Sequence, residues 1–178
     1  KDGTLGFTTI STLVILYFLI SDENIKLFLM TILLPICIFL CFNFSLFNLP
    51  KLFLGDGGSL LLGFIVSFTL IYLANKNLVH PILLAWSVVI FVFEFISINL
   101  IRIKNKKALF KATQDHLHHI FLKKTKSIFL TNFFILSINI ILFIAGYFSF
   151  VLIGSLASLI LFIFSFIVFF LLRDAYSK

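Results

Sequence analysis

Six apolar runs, parted by short polar or glycine-containing breaks, leave this chain few ways to fold. They cover roughly residues 5–20, 27–47, 58–74, 81–101, 128–147 and 150–172. A helix needs about 20 apolar residues to cross a bilayer core. The runs are continuous, whereas a transmembrane barrel strand alternates polar and apolar residues. Only 12% of the 178 residues are charged and 61% are apolar. That is too much apolar surface for one small soluble core. These features exclude a soluble globule, a disordered chain and a disulfide scaffold. The expected fold class is all-α: a polytopic membrane bundle of about six transmembrane helices over residues 1–178, read as a single transmembrane domain. The first and third runs are short, so they either extend into their flanking loops or sit inside the bundle.

Orientation follows from the basic residues, which concentrate in cytoplasmic loops. The loop 102–127 holds Arg102, Lys104, Lys106, Lys107, Lys111, Lys123, Lys124 and Lys126, eight of the fourteen Lys and Arg. Alternating the spans adds Lys1, Lys51, Arg173 and Lys178 to that side and leaves Lys26 and Lys76 opposite. Asp2, Asp56, Asp115, His116, His118 and His119 all fall on the basic side. An active site on the cytoplasmic face is expected. Cys37 and Cys41, four apart in one run, read as reduced packing residues. No secretory signal is visible at the start. The chain reads as the later part of a longer protein.

Three groups of residues could carry chemistry. The first is Gly55-Asp56-Gly57-Gly58-Ser59, placed directly before the third span. Glycines allow close backbone approach, Ser59 suits an N-cap, and a helix N-terminus attracts phosphate. Asp56 would repel phosphate unless a cation lies between them. Mg²⁺ is commonly held by one or two carboxylates together with substrate phosphates. The segment therefore suits a Mg²⁺–diphosphate site, with Mn²⁺ as an alternative ion. A plain capped turn is the competing reading. The second group is His116, His118 and His119, three of only four histidines. Imidazoles donate to phosphate and move protons near neutral pH. Zinc binding and an inert loop are the alternatives, and adjacent His118 and His119 are awkward joint ligands. The third is Glu94, an ionisable group inside a span and so a functional candidate. It could orient a loop residue, ligate metal or pair with a basic side chain; a buried interhelical bond is the structural alternative. Asn132 with Asn139, and Gly154 with Ser158, read as helix-packing pairs.

Together these motifs resemble a family. FLGDGGSLLLGF over residues 53–64 resembles the Gly-Asp-x-Gly-Ser motif of the polyprenyl-phosphate N-acetylhexosamine-1-phosphate transferases. These include the WecA and TagO types, with MraY a more distant member. His116, His118 and His119 match the family's His-x-His-His motif, and the two motifs are two crossings apart. FVFEFIS over residues 91–97 looks like the stretch before the histidines in MraY. Asp2, Gly3 and Gly6 resemble part of the Asn-x-x-Asp-Gly-x-x-Gly motif. The departures are Leu5 at an acidic or Asn position, Thr113-Gln114 where Asp-Arg is common, and a short segment at residues 48–51.

The resemblance implies transfer of a sugar-1-phosphate from a UDP-N-acetylhexosamine to polyprenyl (undecaprenyl) phosphate, with release of UMP. In that reading Asp56 and Asp2 hold Mg²⁺. His116, His118 and His119 bind phosphate. Gly57, Gly58, Ser59 and Lys111 contact substrate, and Glu94 supports the site from behind. The implied setting is the bacterial cytoplasmic membrane, with membrane lipid as a partner, packing faces that allow a homodimer, and no nucleic acid. The sugar and the pathway stay open. The alternative is a non-catalytic truncated paralogue or membrane assembly partner. A transporter would place polar residues at mid-membrane, whereas here they gather at one face.

Overall fold

The computed structural model describes residues 3–106 and 116–176. All regular structure among them is helical: α1 (Thr4–Leu19), α2 (Glu23–Asn43), α3 (Gly55–Asn75), α4 (Pro81–Ser87), α5 (Val89–Lys104), α6 (Leu117–Thr125), α7 (Ile128–Leu152) and α8 (Ser155–Tyr176). The all-α expectation holds. Four helices, α2, α3, α7 and α8, are long and apolar enough to cross a membrane, and α4 with α5 counts as a fifth if taken as one broken span. With the shorter α1, this accounts for the expectation of about six. The protein is a multi-pass membrane protein. The chain divides into two compact units, Lys1–Ser87 and Val88–Lys178.

In the first unit, α1 lies inside. Eight of its sixteen residues are buried, including Leu13 and Leu16. An interior helix need not match the bilayer thickness, which explains its length. Two of its hydroxyls are satisfied locally: Thr8 Oγ1 donates to the Thr4 carbonyl at 2.9 Å, and Ser11 Oγ to the Thr8 carbonyl at 2.8 Å. Such back-bonding removes the cost of a bare polar group in hydrocarbon. Gly6 lets α2 come close, since a Cβ there would meet Leu40 Cδ2 at 2.8 Å. Asp22 caps α2 by accepting from the Asn24 and Ile25 N–H groups. Cys37 is exposed on that helix, so it is not a packing residue, and both thiols are free.

Three boundaries differ from the sequence reading. The third span starts at Gly55 rather than residue 58, so the Gly-Asp motif forms the first turn of α3 instead of preceding it. Ser59 therefore is not the N-cap; Leu54 is, and Ser59 Oγ donates back to the Asp56 carbonyl at 2.8 Å. The fourth span breaks at Val88, whose φ is −112° and ψ 20°. At that break the Ser87 carbonyl accepts from Thr12 Oγ1 of buried α1, at 3.1 Å. A side chain from a neighbouring helix can thus meet a backbone group at a helix break.

The second unit contains α5 to α8. Phe93 of α5 is fully buried and meets Phe162, Phe166 and Phe169 of α8 with ring centroids 5.0, 5.4 and 5.6 Å away. The last two helices turn at Gly154, whose φ of +116° favours glycine. The sequence reading puts the break between the last two spans in the Gly146 region, and the structure moves it to Gly154. Gly146 lies inside α7, where its carbonyl accepts from Ser158 Oγ at 3.0 Å. Gly154 is thus a turn residue rather than half of a packing pair. Asn132 and Asn139 are both buried on α7.

Candidate functional site

The Gly-Asp motif lies in the first unit. Gly55 enters α3 with φ +68°, a conformation that favours glycine. Asp56 follows in the first turn, exposed, where a carboxylate complements the helix dipole. Gly57 has no heavy atom within 4 Å of where a Cβ would sit, so its backbone is open to a ligand; a Cβ on Gly58 would meet Leu54 at 2.8 Å.

The end of α2 organises the approach to this turn. Asn43 is buried, and its Nδ2 donates to the Leu52 carbonyl at 2.8 Å, fixing the segment that enters α3. Its Oδ1 lies 3.1 Å from the position of a Cβ on Gly3. Gly3, with φ +69°, also packs against Phe44, leaving no room for a side chain. Phe44 in turn meets Phe7 of α1 at 5.5 Å. The start of α1 and the approach to α3 therefore meet at one residue, Asn43. Sequence reasoning missed it; the available signal was an Asn inside the last turn of an apolar run. Asp2 lies outside the described residues. So do Lys111, Thr113, Gln114 and Asp115.

Two glycine substitutions separate backbone geometry from ligand contact. Gly55→Ala should cost about 1–2 kcal/mol, because L-residues pay that to take the left-handed region. Gly57→Ala should leave stability unchanged or raise it by up to about 1 kcal/mol, the helix preference of Ala over Gly. Chemical unfolding in detergent measures both. Equal destabilisation by the two would contradict the described turn.

The histidine motif lies in the second unit, at the start of α6. Leu117, the residue between the first two histidines, is the anchor. It packs with Ile90 and Ile135, against Phe121, Ile138 and Phe169. Helical spacing places Leu117 and Phe121 inward together, while His118 and His119 are half-buried and His116 is exposed. The rings of His118 and His119 lie 4.1 Å apart, and those of His116 and His118 stack at 5.5 Å.

Glu94 meets this turn directly. Its Oε1 accepts from the Leu117 N–H at 2.8 Å and lies 3.1 Å from His116 Nδ1. A helix start leaves free N–H groups, and a carboxylate both satisfies one and favours the dipole. A carboxylate only accepts, so Nδ1 of His116 carries the proton. The ring's Nε2 then accepts when the ring is neutral and donates when it is charged. Of the alternatives considered for Glu94, the structure brings it together with a loop histidine.

Arg173 completes the surroundings of Glu94 and was not singled out from the sequence. It is 4% exposed. Its Nη1 donates to Ser97 Oγ at 2.8 Å and to the Glu94 carbonyl at 3.3 Å. Beside it, Asp174 pairs with Lys104. The missed signal was an Arg-Asp pair closing the last apolar run, which reads as an ordinary snorkelling end.

Among the described residues, no group of three His, Cys, Asp or Glu side chains is placed to hold a metal ion. Mg²⁺ does not need one, because phosphates and water can supply most of its ligands. An exposed Asp56 beside the open backbone of Gly57 fits that donor set.

Residues 2–74 match the family model described as glycosyl transferase family 4. No curated protein and no solved structure matches. The match spans Gly3 and Asn43, which meet at the start of α1, and Gly55–Ser59 in the first turns of α3; the histidine motif lies beyond it. Over residues 2–74, then, this membrane protein is similar to glycosyl transferase family 4.

Proposed function

We propose that the protein transfers an N-acetylhexosamine-1-phosphate from a UDP-sugar to polyprenyl (undecaprenyl) phosphate and releases UMP. The observation that carries this reading is the family match over the Gly-Asp motif. The histidine turn held by Glu94 supports it. In the reaction, an oxygen of the lipid phosphate attacks the phosphorus that bears the sugar. The bond from that phosphorus to the bridging oxygen breaks, and UMP leaves with the oxygen. The nucleophile is already an anion, so little base catalysis is needed. The difficulty is bringing anions together, which is met by positioning and by neutralising charge.

Asp56, with Asp2, would hold Mg²⁺ against the diphosphate, and the ion would offset the charge that accumulates there. Mn²⁺ is the alternative. Gly57, Gly58 and Ser59 would let the backbone approach substrate. His116, His118 and His119 would contact phosphate oxygens, and Lys111 would steer the nucleotide. The apolar helix faces would lie against lipid and the polyprenyl chain. The basic-residue count supports a cytoplasmic active face, in the bacterial inner membrane that the family resemblance implies.

The test is UMP release by membranes carrying the complete natural gene product, supplied with UDP-sugars, undecaprenyl phosphate and Mg²⁺. Release that requires both the lipid and the metal is expected with one or more UDP-N-acetylhexosamines. No release with any UDP-sugar, from protein shown to be folded and inserted, would overturn the reading and favour a non-catalytic role.

A further inference from the structure

We propose that Arg173, on the final helix, is a positioning residue for His116. It acts through the turn of α5 that carries Glu94. The guanidinium donates to the Glu94 carbonyl and to Ser97 Oγ, and Ser97 Oγ donates to that same carbonyl at 3.1 Å. One carbonyl thus has two donors, and this turn is tied to α8. From it the Glu94 side chain reaches the other way, to His116 Nδ1 and the Leu117 N–H. Fixing the backbone of Glu94 fixes where its carboxylate starts. The carboxylate then sets the tautomer of His116 and the direction of Nε2. An outer partner of this kind commonly orients a working imidazole.

The rest of α8 explains why Arg173 arrives there. Phe162, Phe166 and Phe169 hold one face of the helix on Phe93, the residue before Glu94. Arg173 continues that face by one turn. A buried arginine keeps its charge and must be satisfied in place. A simple end-of-span arginine would extend to the headgroups, whereas this one turns inward to α5. Asp174 takes Lys104 on the same pair of helices, giving the helix end a second polar link that does not include Glu94. That second link supplies a structural control.

The consequence for catalysis rests on the proposed transferase, but the geometry can be tested apart from it. The complete gene product, with ¹⁵N-labelled histidine, would be placed in nanodiscs and its imidazole nitrogens followed by NMR. Arg173→Gln and Ser97→Ala should each move the His116 Nδ1 and Nε2 signals, with Arg173→Lys restoring part of the native pattern. Asp174→Asn, which removes the carboxylate paired with Lys104, should leave them in place. Ser97→Ala is the smaller change and serves if Arg173→Gln fails to fold. Unmoved His116 signals in Ser97→Ala or in folded Arg173→Gln, or an equal shift in Asp174→Asn, would overturn the proposal.

In the transfer assay, Arg173→Gln and Ser97→Ala should lower kcat by roughly 10- to 100-fold with little change in KM, the size expected from misplacing a catalytic group by about 1 Å, and Arg173→Lys should recover part of that loss. An unchanged kcat would also count against it. If the native protein transfers no sugar phosphate, the transferase reading fails, and the NMR comparison alone decides the role of Arg173.

Discussion

Asp56→Asn is expected to leave the protein folded and inserted while lowering Mg²⁺-dependent UMP release by roughly 10²–10³-fold, the loss seen when one group aimed at transition-state charge is removed. The reason lies in the position of the side chain. Asp56 is exposed in the first turn of α3, and among the described residues no hydrogen bond uses its carboxylate. Its removal therefore creates no buried orphan. Losing its charge beside the dipole would cost only about 0.3–1 kcal/mol. The same loss would remove a charged donor for Mg²⁺, which the amide oxygen replaces poorly. The assay should follow UMP release across a Mg²⁺ series, with unfolding measured on the same preparations. Native-like release at every metal concentration would show that Asp56 does not hold the metal.

Glu94→Ala is expected to act on both structure and turnover. It removes the acceptor for the Leu117 N–H and the partner of His116 in one step. Loss of a cap acceptor costs about 0.5–2 kcal/mol, concentrated at the start of α6. Hydrogen exchange should quicken over residues 117–120, while α7 and α8 keep their protection. His116 then loses its orienting partner, and transfer should fall by roughly 10- to 100-fold. Glu94→Gln divides the two effects. Its amide oxygen can still cap Leu117, but its charge is gone. It should restore slow exchange at α6 without restoring full turnover. Unchanged exchange in Glu94→Ala would show that the α6 start does not depend on this carboxylate.

Local residues explain why the glycine pair should respond differently. Gly55 is held to a positive φ by the path of its own backbone. Gly57 is helical with empty space beside it. Both read alike in the sequence as glycines of one motif. Only the path of the chain into α3 separates them, and that path depends on Asn43 gripping Leu52.

The sequence alone determined the all-helical membrane class, the approximate spans and the residues worth watching. Each of these is local. Apolar run length is set by what a bilayer accepts, and a charged residue inside such a run stands out without any knowledge of its neighbours. Gly-Asp-Gly-Gly-Ser and the three histidines were legible because each motif is contiguous. Boundaries were less legible. Hydropathy cannot see that Gly55 already turns into α3, that Val88 breaks a run of apolar residues, or that Gly154 rather than Gly146 makes the last turn.

The tertiary structure decided the partners. Glu94 and His116 are 22 residues apart, and Arg173 is 79 residues from Glu94. No periodicity within one helix links them. They meet because Leu117 anchors α6 beside Ile90, and because three phenylalanines hold α8 on Phe93. Packing of apolar faces brings these polar groups into reach, and in a medium without water a polar group gains most by finding a partner. The sequence supplied the candidates, and the helix packing chose which of them touch.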